Sequence, residues 1–238
     1  MSGVQNGRLT VGVVGAGPVG TVLGQALAAA GHVVIGIAST SPQNIERAEA
    51  LLPEVEVRAV DELIKEADLV LFAIPANEIS KTVSGLAEAG LFKAGQLVAH
   101  TAGEFGIEVL EPATKRGVIA LAIHPAMTFT GTSLDLARIR ESYFAVSAPN
   151  VALPIAQALV IEMGAEPIVI SEADRKIYFE AISVANNFSK LIVNQSIGLL
   201  EQVGIENARA VLGPVIRSAV EEALADGHTP INPEELLS

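Results

Sequence analysis

The chain has 238 residues, is 50% hydrophobic and contains no cysteine, which allows one large domain plus a smaller one and excludes disulfides and a thiol nucleophile. A formal net charge of −12 argues against nucleic acid or an anionic membrane as partner, and the four histidines show no metal-ligand spacing. No apolar run is long and clean enough to span a bilayer, and with no secretory apolar segment over residues 1–10 a cytoplasmic location is expected.

The chain opens on an apolar strand, Leu9 to Val14, that runs straight into Gly15-Ala16-Gly17-Pro18-Val19-Gly20 and then a helix closed by Gly31. This is the fingerprint of a dinucleotide site. Gly15 permits the tight turn, Gly17 lets backbone approach a pyrophosphate, and Gly20 lets the helix pack on the strand. The phosphates would sit at the helix N-terminus, where unpaired N–H groups and the macrodipole offset their charge without a basic side chain. His32 is expected to be a turn residue before the second strand, Val33 to Ala38.

At the end of that second strand an acidic residue would hydrogen-bond the ribose 2′-hydroxyl of NAD. Ser39-Thr40-Ser41 stands there instead. With no carboxylate to repel a 2′-phosphate, NADP is the expected cofactor and NAD remains possible. Arg47, one turn into the next helix, is either a phosphate ligand or a solvated helix residue.

Strand-like runs then follow at Val55 to Val60, Leu69 to Ile74, Gln96 to His100, Val118 to Ile123, Tyr143 to Ser147 and Pro167 to Ile170. Helical patterns fall between them at Ile45 to Leu52, Asp61 to Ala67, Asn77 to Ala89, Glu108 to Arg116 and Pro154 to Met163. The alternation predicts an α/β fold with a doubly wound, mostly parallel Rossmann-like sheet over residues 1–171. From 172 to 238 only helix signals remain, Asp174 to Val203 and Ala208 to Ala225, broken by Gly204. So apolar a helical region cannot cover itself alone, which points to a dimerisation and substrate domain in a homodimer. The two-proline tail from Asp226 is expected to wrap loosely or to lie on a partner.

Ligands of open α/β sheets bind at the carboxyl ends of the strands. Ile74-Pro75 and Asn77 follow one strand, His100-Thr101-Ala102-Gly103 the next, and His124-Pro125-Ala126-Met127-Thr128 the one after. Ile74, Pro75, His100 and Thr101 are candidate cofactor contacts, and His124 is a candidate catalytic group. On the first long helix Asn187, Lys190 and Asn194 are spaced to share one face among apolar neighbours. Either that face supplies a proton donor and hydrogen bonds to a substrate, or Lys190 snorkels and the asparagines cross-link helices.

The glycine turn, His100-Thr-Ala-Gly103, the run His124-Pro-Ala-Met-Thr-Phe-Thr-Gly131 and the helix with Ala185-Asn-Asn187 resemble a family of bacterial oxidoreductases. That family joins a Rossmann-like domain to a helical C-terminal domain of unknown function, similar to the C-terminal domain of 6-phosphogluconate dehydrogenase. It is related to ketopantoate reductase, pyrroline-5-carboxylate reductase and the β-hydroxyacid dehydrogenases. The resemblance implies an NAD(P)-dependent reductase acting on a carbonyl or imine of a small, carboxylate-bearing substrate. Lys190 and Asn194 look like the lysine and asparagine that serve those relatives in proton transfer and substrate orientation. Ala102 departs from the serine often found there.

On these residues either Lys190 or His124 donates the proton, Asn187 and Asn194 fix the substrate oxygen, and Thr101 or Thr128 contacts a carboxylate or ribose. The short-chain dehydrogenase chemistry is excluded, because four residues after Tyr143 and Tyr178 stand Ser147 and Ile182 instead of lysine. The rival outside enzymology is a regulatory protein that binds NADP(H) through the same glycine turn.

Overall fold

The computed structural model describes residues 8–227, and the chain divides into two compact units between Glu180 and Ala181. In the first unit the described residues form one seven-stranded sheet in the order β2-β1-β3-β4-β5-β6-β7. The strands are β1 (Thr10–Val14), β2 (Val33–Ala38), β3 (Leu69–Phe72), β4 (Leu97–His100), β5 (Ile119–Pro125), β6 (Tyr143–Ser147) and β7 (Glu166–Val169). All pairs are parallel except β5 with β6. The expected doubly wound α/β sheet is therefore present, and β1 lies where the strand order reverses.

Alternate residues of the strands feed two cores, one on each face of the sheet. Leu69 and Leu71 join the core beneath α1 (Pro18–Ala29), α2 (Pro42–Leu51) and α7 (Leu153–Glu162). Val70 and Phe72 join the core beneath α3 (Val60–Glu66), α4 (Ala76–Glu88) and α5 (Glu111–Thr114). Cover on both faces is why the central strands read as continuous apolar runs.

Three local expectations change. Val55 to Val60 forms no named strand. It makes a single bridge, Val57 beside Ile37, before Val60 opens α3 and brings Leu63 and Ile64 onto the sheet. The expected helix over Glu108 to Arg116 is a 3-10 turn, Ile107–Leu110, running into α5. A further helix, α6 (Leu134–Ile139), follows β5. It is organised by Asp135, which is fully buried and accepts the backbone N–H groups of Thr130 and Gly131 at 2.7 and 2.8 Å.

The sheet unit extends to Glu180 because the first turn of α8 (Arg175–Gln202) is anchored within it by Arg175. The second unit holds the rest of α8 and α9 (Ala208–Asp226), separated at Gly204, whose φ is +82°. Phe188, Leu191 and Ile192 on α8 are more than half exposed. The tail beyond Gly227 lies outside the described residues. Among the described residues no helix is long and apolar enough to cross a membrane.

Candidate functional site

The glycine turn has the geometry its spacing predicts. Gly15 has φ +111°, a conformation rarely open to other residues, and its N–H donates to the Ala38 carbonyl at 2.9 Å. A Cβ at Gly20 would collide with the Gly15 carbonyl, so this glycine lets α1 start close to the turn. Gly17 differs: a Cβ there would meet no protein atom within 4 Å. Gly17 also caps α1 with no side-chain bond, and the first turn holds no acidic residue. The helix start is thus open to an anion. Thr21, a residue the sequence reading passed over, closes the turn from below, its hydroxyl donating to the carbonyls of Ala16 and Gly17 at 3.0 Å.

Beside this turn lies a cleft of about 700 Å³. Gly15, Ala16, Gly17, Ser39, Thr40, Ser41, Ile74 and Pro75 all line it. Pro18, Val19 and Gly20 stand behind it in α1. Ser39 accepts the Ser41 N–H at 3.2 Å, and Ser41 caps α2 without a side-chain bond, so that helix start is also open. Arg47 does not line the cleft; it donates to Asn44 at 2.6 Å and lies beside Gly131. The cation on the wall is Arg58, which the sequence reading missed. Its stem lies against Gly36 of β2, and its guanidinium pairs with Glu66 at 2.8 Å and Glu62 at 3.5 Å, which raises its pKa further above the usual arginine range. A spacing rule could not find it, because Arg58 arrives from the segment bridged to β2.

The ends of β4 and β5 carry the two candidate histidines. His100 is fully buried, with Nε2 2.8 Å from the Gly106 carbonyl and Nδ1 accepting the Ala102 N–H at 3.2 Å. Burial pushes its pKa down to about 4. Both ring nitrogens are thus engaged within the 101–106 loop. Thr101 is half-buried, its N–H bonded to the Phe72 carbonyl at 3.1 Å.

His124 is half-buried and meets Tyr178 through Nδ1 at 2.8 Å. Its Nε2 faces Gly103, where a Cβ would lie 2.9 Å away. The two histidine loops, recognised separately in the sequence, therefore meet at this glycine. Burial first, then the Arg175 cation, lowers the His124 pKa to about 4. Arg175 is 1% exposed and donates to Ser147 Oγ at 2.8 Å and to the carbonyls of Ala122 and Ala145 at 3.0 and 3.2 Å. Neither Arg175 nor Tyr178 carried a sequence signal, since their partners lie 28 to 54 residues earlier.

In the second unit Asn187, Lys190 and Asn194 are exposed on α8, at the spacing that places them on one helix face. Thr128 is exposed in the loop after β5. Among the described residues no group of His, Asp and Glu could hold a metal ion.

The Rossmann-like domain family matches residues 1–125, and a domain of unknown function, DUF2520, matches residues 142–231. No curated protein matches the chain. Among solved structures, a protein from Bacteroides fragilis designated an NADP oxidoreductase superposes with a TM-score of 0.77 at 18% identity, covering 90% of this chain and 80% of that one. The NADP-bound pyrroline carboxylate reductase of Plasmodium falciparum gives 0.67 at 15% identity, covering 96% and 82%. The 1-pyrroline-5-carboxylate reductase of Streptococcus pyogenes gives 0.68 at 17%, covering 97% and 84%. At these identities the likeness is one of fold.

Proposed function

We propose, from the premise that the chain belongs to the Rossmann-like domain family, that it is an NADP-dependent oxidoreductase reducing a carbonyl or imine of a small substrate. One observation carries the reading: the 700 Å³ cleft joins an open helix start at Gly17 to a hydroxyl loop, Ser39-Thr40-Ser41, that has no carboxylate. The similar folds that bind NADP and reduce pyrroline carboxylate support it.

The residues present fit a nicotinamide dinucleotide. Gly17 leaves room for a pyrophosphate beside the turn that Gly15 makes, and the Ser39-Thr40-Ser41 hydroxyls with the open start of α2 would take a 2′-phosphate. When bound, the dinucleotide supplies the hydride. The chain's own part is to hold the acceptor carbon in line, to polarise the carbonyl oxygen or imine nitrogen, and to return one proton to that atom as it takes up the π electron pair. His124 and Lys190 are the candidate groups for these tasks, with Asn187 and Asn194 orienting the substrate. The helical region from 172 onward is the proposed dimerisation and substrate domain, since its exposed Phe188, Leu191 and Ile192 suit a second copy.

The test is to titrate the protein with NADPH and NADH separately, following nicotinamide fluorescence, and then to screen cyclic imines and 2-oxo acids for NADPH oxidation. Tight NADPH and weak NADH binding with turnover of one class is expected, and Lys190→Ala should then abolish turnover while leaving NADPH affinity intact. Absence of binding by either dinucleotide overturns the reading. NADPH binding without turnover moves it to a regulatory protein.

A further inference from the structure

Among the described residues the Tyr178 hydroxyl is the one polar group that hydrogen-bonds the His124 ring. Its Oη lies 2.8 Å from Nδ1, and the rings meet edge to face with centroids 5.6 Å apart. Phe179, the next residue on α8, also meets the ring edge to face, with centroids 6.0 Å apart. The imidazole is thus clamped between consecutive aromatic rings of α8 and the side-chain-free backbone of Gly103, to which it turns Nε2. Among the described residues no hydrogen bond reaches Nε2.

We propose that Tyr178 is a positioning residue for His124, donating its hydroxyl proton to Nδ1 so that the ring carries its own proton on Nε2 and presents that N–H beside Gly103 as a hydrogen-bond donor. The inference rests on the oxidoreductase reading and divides its labour. A neutral imidazole has one donor and one acceptor nitrogen. If Nδ1 were the donor, the Tyr178 proton would have no acceptor among the described residues. If Oη donates, its proton is used and the ring's own N–H sits on Nε2, beside Gly103. Burial raises the Tyr178 pKa, opposed by the buried Arg175 cation one turn earlier on α8, so the phenol keeps its proton at neutral pH and Oη has one to donate.

The charged and titratable groups around the ring are Arg175 and Tyr178 from α8 and His100 from β4. None is a carboxylate that would draw a second proton onto the imidazole, and burial with the Arg175 cation keeps it uncharged at neutral pH. His124 therefore polarises a carbonyl oxygen or imine nitrogen through Nε2–H without giving up its proton, a task suited to a neutral ring. Proton delivery then falls to another group, for which Lys190 is the candidate.

The test is a long-range 1H–15N correlation spectrum of histidine rings in the full-length protein labelled with 15N-histidine, at about neutral pH. His124 is assigned by the signal lost in His124→Asn. The wild-type ring is expected as a single Nε2–H tautomer. Tyr178→Phe, which keeps the aromatic clamp and removes only the hydroxyl, should move both ring nitrogens toward the averaged positions of a tautomer mixture. Phe179→Leu, which loosens packing and leaves the hydroxyl, should keep the wild-type pattern. A wild-type ring protonated on Nδ1 overturns the proposal whether or not any variant folds, and so does an unchanged pattern in Tyr178→Phe. The NADPH titration of the same wild-type sample is read separately. Absence of binding there removes the oxidoreductase reading and leaves the tautomer result standing.

Discussion

Replacing Gly17 by alanine should separate folding from cofactor binding, because the added methyl meets no protein atom within 4 Å and points where a pyrophosphate would approach. The backbone at Gly17, φ −66° and ψ 179°, is one that alanine adopts freely. Lower entropy of the unfolded chain then favours the variant by about 0.4–1 kcal/mol. Gly17 is also the N-cap of α1, where alanine is poorer than glycine by roughly 0.5–1 kcal/mol. The two effects nearly cancel, and stability should stay within about 0.5 kcal/mol of wild type. Binding has no such compensation: losing one charge-assisted hydrogen bond to a phosphate weakens it by about 1.5–3 kcal/mol, roughly 10- to 150-fold in Kd. Gly15→Ala should behave the other way, because φ +111° and the Ala73 carbonyl both oppose a side chain. That variant should lose at least about 1–3 kcal/mol of stability. Urea denaturation and NADPH fluorescence titration on the three proteins decide the matter. A folded Gly17→Ala protein with unchanged NADPH affinity would refute the placement of the pyrophosphate.

Ser39→Asp restores the carboxylate missing after β2, and should weaken NADPH about tenfold by repelling the 2′-phosphate while NADH affinity holds or rises; the ratio of the two dissociation constants is the readout. Arg175→Met removes three charge-assisted bonds to Ser147, Ala122 and Ala145 but also a buried cation, and should cost about 1–3 kcal/mol in urea denaturation. A variant as stable as wild type would mean that burying the charge cancels its bonds. His100 and His124 have folded pKa values of about 4, below the 6.5 of an unperturbed histidine. The unfolded chain therefore binds more protons between these values, so stability is intact above about pH 6.5 and falls as pH drops toward 4, by about 3 kcal/mol from fully buried His100 alone. His100→Gln should flatten that acid limb of the stability profile, and an unchanged slope would remove His100 as its source.

What could be read from the sequence was what short-range chemistry decides. Gly15, Gly17 and Gly20 act within one turn, so their spacing alone predicted a strand, an open helix start and a dinucleotide cleft. The buried strands were legible because cover on both faces demands continuous apolar runs, and Ser39-Thr40-Ser41 could be placed by counting from the last glycine. The run Val55 to Val60 instead alternates apolar and polar residues as a half-buried strand would, yet only Val57 bridges β2, because α3 begins at Val60 to cover the sheet. Whether a histidine at a strand end faces outward is also settled at long range: His100 turns in to the Gly106 carbonyl, while His124 stays at the edge because Gly103 leaves it room. Arg58, Arg175 and Tyr178 had no periodic signal at all, since each acts on β2, β5 or β6 from a distant segment of chain. The local chemistry of this chain determined that a glycine turn with an open helix start exists and where it lies; tertiary packing decided which polar side chains stand around it, because burial and hydrogen-bond partners come from residues far apart in the sequence.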